Sequence, residues 1–301
     1  MGTSEPIRIH NPSETATLRK VVVGFVKPFT WQALLRGGAW DWKNLVKNLF
    51  QLISNRVRIP DAARASRQHQ AFLDLLVRNG VEVLAVDDLP DVPIQLYTRD
   101  IGFVIDDVFF CARSRHPSRR REQQGLEKLL RRFARVAHLD AGIIEGGDVM
   151  VDYKHVLVGV GEETDLDGVQ SLRRKMKELG IDREVVPLPF RRRGVTHLDT
   201  QFAIVAEGIG LVYPKSFTHA ALGFLEKHYD LVEVTRAEMN SLEINIFTLD
   251  ARRVILRERS DRLCALLESR GVEVFRVDYS EVAKFPGSLH CATLPIQRGE
   301  V

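Results

Sequence analysis

Five short polar stretches of this chain carry residue types suited to covalent and proton-transfer chemistry. They are Tyr97-Thr98-Arg99-Asp100, Glu145-Gly146-Gly147-Asp148, Thr196-His197-Leu198-Asp199, the run from Asn240 to Asn245, and Ser288-Leu289-His290-Cys291-Ala292-Thr293. Cys291 follows Pro286-Gly287. It therefore reads as a turn-borne thiol exposed enough to react, whereas a Cys on an apolar strand is inert. Cys111 ends an apolar strand and Cys264 falls on the apolar face of a predicted helix, so both read as core.

Carboxylates beside a nucleophilic thiol raise its pKa and oppose its ionisation. The conflict resolves if the substrate is a cation. A guanidinium is planar and offers pairs of N–H groups that carboxylates grip bidentately. Once bound it also stabilises the thiolate. His197 is then placed to move protons between the attack of Cys291 and a leaving amine. The pattern points to covalent catalysis at a guanidine carbon. His197-x-Asp199 and the scattered acids could ligate a metal, but a Cys between His and Thr suits covalent work better, so neither metal nor cofactor is expected. His290 reads as a loop filler in preference to a second proton carrier. Each stretch alone is compatible with a surface pair, a capped turn or a loop; their repeated placement is what singles them out.

The elements that must position these residues form a repeat. The chain has 301 residues and 45% hydrophobic content, ample for a large core. Its 43 basic and 40 acidic residues leave a charge of +3, too balanced to imply a nucleic-acid partner. Three cysteines without CxxC spacing argue against a disulfide framework or zinc site and fit a reducing cytoplasm. No signal peptide or membrane span is read. Residues 1–15 read as a loose polar lead-in, and Leu18 to Phe25 as a buried strand. Residues 27–60 form an insertion with all three tryptophans, in which Trp42 to Ile53 has amphipathic helical spacing. It suits a helix packed on its own domain, a lid or a dimer surface. A unit of strand, strand, helix, strand then recurs about every 40–55 residues, a period typical of propellers and arrays. The second copy, for example, runs from Ile101 to Leu139, with its helix predicted over Gln123 to Phe133. The first three polar stretches lie just before a strand pair, and the other two end the fourth and fifth units. No strand is expected after Val272 to Asp278. The reading is one α/β domain spanning 1–301, with units around a central funnel.

These motifs resemble the guanidino-group-modifying superfamily, which includes arginine deiminases, dimethylarginine dimethylaminohydrolases, agmatine deiminases and amidinotransferases. The resemblance runs from LRKVVVG through YTRDIGFVIDD, EGGDVM, VLVGVGEETDLDG and THLDTQFAIV to SEVAKFPGSLHCATLPIQR. It implies a five-bladed α/β propeller (pentein) of ββαβ units with pseudo-fivefold symmetry. By resemblance Cys291 matches the nucleophile, His197 the general acid/base and Glu145 the acid supporting both the His and the guanidinium. Asp100 and Asp199 match the acids that hold the guanidinium nitrogens, and Asp148 a more structural acid. The implied activity is hydrolysis of a guanidine C–N bond through a Cys-amidino (thiouronium) intermediate, or alternatively amidino transfer to an amine. The implied partner is a small guanidino compound, with homo-oligomerisation left open. One departure stands out. Where the arginine hydrolases carry an Arg that holds the substrate carboxylate, Glu163 stands here. Glu163 could hold an ammonium, and Arg113, Arg115 or Arg191-Arg192-Arg193 could supply the missing cation.

Overall fold

The structure is a computed structural model and describes residues 5–27, 60–92, 94–285 and 287–299. The Trp-rich insertion and its predicted helix lie outside the described residues.

The strand pairs arise where apolar runs are broken by tight polar turns. Gly102–Ile105 (β3) and Val108–Cys111 (β4) pair antiparallel across Asp106-Asp107, from Gly102 opposite Cys111 to Ile105 opposite Val108. Asp106 turns the chain at φ 51°, a left-handed conformation that Asp tolerates. Every residue of this pair is buried. Two-sided burial requires cover on both faces, which explains the lack of polar alternation.

Four units follow one plan. A first strand pairs antiparallel with a central strand, and a helical crossover returns the chain to a third strand parallel to the central one. The triplets are β3, β4 and Val136–His138 (β5); Val149–Val151 (β6), His155–Val160 (β7) and Glu184–Pro189 (β8); Phe202–Ala206 (β9), Ile209–Val212 (β10) and Asp230–Glu233 (β11); Phe247–Thr248 (β12), Arg253–Arg257 (β13) and Glu273–Val277 (β14). Asp165 and Thr218 cap the helices Leu166–Glu178 and His219–His228 by accepting from Gly168 N and Ala221 N. Gly80, Gly180 and Gly271 leave their helices at φ 75–79°, and the same stop signal therefore recurs in three units.

A fifth sheet closes the chain on itself. Leu18–Val23 (β1) is central, parallel to Glu82–Ala85 (β2) and antiparallel to Thr293–Arg298 (β15), with Val23 opposite Thr293. This corrects the expectation that no strand follows Asp278. Pro295 lies inside β15, where it is tolerated because β15 is an edge of its sheet. Cys291 therefore enters a first strand, as the other polar stretches do. A second correction concerns the helix expected over Gln123 to Phe133. Helix begins at Pro117, runs to Glu122, and resumes over Glu127–Leu130 after one tighter turn. Pro at the first helical position is the signal for that earlier start.

The apolar cores lie between neighbouring units. Val169, Leu172 and Met176 of one helix join Phe103, Phe110, Val149 and Val158 in one cluster. Phe72 of the helix Ala62–Arg78 meets Phe247 edge to face at 6.0 Å between ring centroids. The lead-in is not loose among its described residues. Asn11 bridges Asp106, and Glu14 is buried in an ionic knot, 3.2 Å from Arg99 Nη1 and 3.5 Å from Arg298 Nη2. Arg298 is fully buried and donates to Ala16 O and Thr248 O, which ties β15 to β12.

Candidate active site

The polar stretches become tight turns at the entrances of first strands. Thr98–Ile101, Gly146–Asp148 and Leu198–Thr200 are single turns leading into β3, β6 and β9. Glycine lets them approach one another. A Cβ on Gly146 would lie 2.1 Å from Arg99 O, and one on Gly147 would lie 2.8 Å from the His197 ring. Cys291 joins the group through its own carbonyl, which accepts from Arg99 N at 3.1 Å.

These turns bring Asp100, Glu145, Asp148, His197, Asp199 and Cys291 together at 1–3% exposure. His197 Nε2 lies 2.9 Å from Glu145 Oε2, and its Nδ1 lies 3.5 Å from Asp100 Oδ1. Cys291 Sγ donates to Asp199 Oδ2 at 3.2 Å. Asp148 Oδ1 accepts from Leu198 N at 2.8 Å and so holds the His197 turn from below. Cys291 is turn-borne as expected, but its thiol is not exposed: the Tyr97 ring packs under Gly287, and Leu289 and Ala292 are fully buried.

The electrostatics follow from burial and neighbours. Burial raises the Cys291 thiol well above its ordinary range, and Asp199 and Asp100 push it further. Burial would lower His197, but Asp100 and the Glu145 hydrogen bond outweigh it and raise it well above the ordinary imidazole range. Burial would raise Glu145, yet His197 and Arg119 hold it below the ordinary range. Asp148 is pushed up to about 7, mainly by burial.

Among the described residues, Asp100 Oδ1, Glu145 Oε1, Asp148 Oδ2 and Asp199 Oδ1 are buried without a hydrogen-bond partner. Each such atom costs about 1–3 kcal/mol, and more when charged. These oxygens keep unused acceptor capacity beside the thiol and the imidazole. Asp100, Glu145 and His197 also bring ligand-capable atoms within 4.8 Å of one another, so these three are the residues that could hold a metal.

Of four further contributors, sequence reasoning missed Arg119 and Glu14, marked Asn245 only as the end of a polar run, and took His290 for a filler. Asn245 donates from Nδ2 to Asp199 O at 3.0 Å and Cys291 Sγ at 3.2 Å, while its Oδ1 accepts from His290 N and Cys291 N. Arg119 Nη2 lies 2.8 Å from Asp100 Oδ2 and its Nη1 2.9 Å from Glu122 Oε2. His290 Nδ1 lies 2.9 Å from Asp199 Oδ2 and is no filler. Glu14 stands behind His290. The helix start at Pro117 could have pointed to Arg119, and the polar run before β12 ends at Asn245; nothing in the sequence marks Glu14.

The side chains of the residues considered for the substrate tail make other contacts. Glu163 Oε2 is 2.9 Å from His116 Nε2 and 3.9 Å from Arg115 Nε. Arg113 is exposed and donates from Nε to Gly142 O at 2.7 Å. Arg191, Arg192 and Arg193 are exposed, with Arg192 5.9 Å from the Tyr213 ring centroid.

Residues 45–298 match the family described as "N,N dimethylarginine dimethylhydrolase, eukaryotic". The chain belongs to that family, and with it to the guanidino-group-modifying superfamily that its motifs resemble. It is 32% identical over 242 residues to the uncharacterized protein YkgA of Bacillus subtilis, covering 78% of this chain and 81% of that protein. It is 26% identical over 245 residues to the N(G),N(G)-dimethylarginine dimethylaminohydrolase of Streptomyces coelicolor, covering 79% and 88%. Among solved structures, SxtG, an amidinotransferase from Microseira wollei, superposes with a TM-score of 0.78 at 18% identity, covering 97% of this chain and 98% of that one. That likeness shows a shared α/β fold of small sheets. Among the described residues no helix is long and apolar enough to cross a membrane.

Proposed function

We propose that the protein hydrolyses a guanidine C–N bond through a covalent amidino adduct on Cys291. The observation that carries this reading is the set of partnerless buried carboxylate oxygens beside a buried thiol and an imidazole. A guanidinium is the cation that supplies several N–H groups in one plane and an electrophilic carbon at their centre. Membership of the family supports it.

In this reading Asp100, Glu145 and Asp199 receive the guanidinium N–H groups. The bound cation offsets the carboxylate charge that holds the thiol protonated, and Cys291 loses its proton to solvent and attacks the guanidine carbon. His197, protonated at rest, gives its proton to the departing amine, leaving a thiouronium on Cys291. Neutral His197 then takes a proton from water, whose oxygen adds to the same carbon. Collapse expels the Cys291 thiolate and releases a ureido product, whose added oxygen gives up its remaining proton and so restores the thiol. Asp148 has a structural role, holding the His197 turn.

The same reading extends to the architecture. The five sheets stand as blades of one α/β propeller, in a single domain with pseudo-fivefold symmetry. The common strand plan and the cross-links between first strands support it, such as Thr248 Oγ1 to Ile204 O between β12 and β9.

The test is turnover of arginine, methylated arginines, agmatine and guanidino acids, with and without amine acceptors. The reading predicts a ureido product and a free amine in water alone, and none with Cys291→Ser. A new guanidine formed only with an added amine would replace hydrolysis by amidino transfer.

A further inference from the structure

Cys291 has a neighbour that this chemistry does not use. His290 is 4% exposed and is fixed on three sides. Its backbone N donates to Asn245 Oδ1 at 3.1 Å. Its Nδ1 lies 2.9 Å from Asp199 Oδ2, the same oxygen that receives the Cys291 thiol. Its Nε2 faces Glu14 Oε2 at 3.8 Å. Glu14 is itself held by Arg99 and Arg298, so the chain of contacts from Arg298 through Glu14, His290 and Asp199 to Cys291 is buried throughout.

Resting on the proposed guanidine chemistry, we propose that His290 is a positioning residue for the nucleophile. It donates from Nδ1 to Asp199 Oδ2, which fixes that carboxylate against Cys291 and leaves Asp199 Oδ1 for the substrate. Glu14, on the far side, orients the ring so that this nitrogen points at Asp199. The electrostatics of Asp199 agree with this geometry. Burial raises its carboxyl, yet it is held below the ordinary range, and the His290 hydrogen bond and charge are the largest opposing causes. The His290 hydrogen bond therefore favours the charged form of the carboxylate that grips a cation.

The two ring nitrogens make the idea testable, because Asn places an amide N–H near the position of Nδ1 and Gln places one near Nε2. The probe is chloroacetamidine, a small planar cation that alkylates thiols, compared with neutral chloroacetamide at Cys291. The readout is the ratio of the two alkylation rates. The wild-type protein should favour the cation. His290→Gln should reduce that preference by roughly 10- to 100-fold, the worth of a hydrogen bond to a charged group, and His290→Asn should restore most of it. In an Asp199→Asn background, His290→Gln should add no further loss, because its effect passes through the Asp199 carboxylate. An unchanged preference in His290→Gln, equal loss in both variants, or an undiminished loss in the Asp199→Asn background would overturn the role. If the wild type itself shows no preference for the cation, the guanidine site fails, and the role of His290 with it.

Discussion

Glu145 and His197 share a hydrogen bond, Oε2 to Nε2 at 2.9 Å, in a site where both are shielded from water. The two residues come from turns of different units, and the contact fixes both the orientation of the imidazole and its charge. Burial works against the imidazolium, and the neighbouring Asp100 and Glu145 overcome it. Removing the Glu145 charge should therefore lower the His197 pKa. In Glu145→Gln, the basic limb of the kcat profile should move to lower pH, and kcat should fall by roughly 10²–10⁴-fold, the usual worth of a placed general acid. The pH–rate profile of the variant checks both.

The thiol behaves in the opposite way. Burial, then Asp199 and Asp100, hold Cys291 well above the ordinary value of 9.0. Alkylation by neutral iodoacetamide should be slow at neutral pH and still rising at pH 9 in the free protein. A plateau below that pH would mean that the thiolate forms without a bound cation.

How much of this was legible in the sequence depends on the kind of signal. Asp100, Glu145, His197 and Asp199 were readable because each precedes a strand pair, and Cys291 because it follows a Pro-Gly turn; a repeat in chain order becomes a convergence in space. Buried strands such as β4 and β7 were readable as apolar runs. β15 was not, because Pro295 resembles a strand breaker unless the strand is known to be an edge. The burial of Cys291 was hidden for a related reason. A Pro-Gly turn looks exposed, and only the packing of Tyr97 against Gly287 shows otherwise. Glu14 and Arg298 lie 284 positions apart in numbering, at 3.5 Å in space, and no local pattern connects them.

Asp148 should show up in stability rather than in chemistry. Its carboxyl is pushed up to about 7 in the folded protein, against about 3.9 for a free Asp. Between those values the folded state holds the proton and the unfolded state releases it. The stabilising contribution is therefore complete below about pH 4 and is lost as pH rises through about 7, with a slope of at most about 1.4 kcal/mol per pH unit. Asp148→Asn keeps the acceptor for Leu198 N but cannot ionise. Its Tm relative to wild type should rise from about pH 4 to about pH 7 and then level off, with turnover changed only a few-fold. A pH-independent difference would contradict the buried, protonated carboxyl.

Arg119 should matter through Asp100. Burial raises the Asp100 carboxyl, and His197 and then Arg119 oppose that rise. Arg119→Gln removes one of the opposing charges, so Asp100 should protonate at higher pH and release its hold on the substrate. KM should rise by roughly 10- to 100-fold, the acidic limb of kcat/KM should move to higher pH, and Arg119→Lys should recover part of the loss. A uniform fall in kcat with KM unchanged would count against this role.

The central claim is a covalent bond between Cys291 and a guanidine carbon. The most direct measurement is intact and peptide mass spectrometry of protein quenched in acid during incubation with the guanidine panel. The account predicts a mass increment on Cys291 that equals the substrate minus its leaving amine, absent in Cys291→Ser and longer-lived when His197 is replaced. Turnover of a guanidine with no such increment on Cys291, or with undiminished activity in Cys291→Ser, would contradict it.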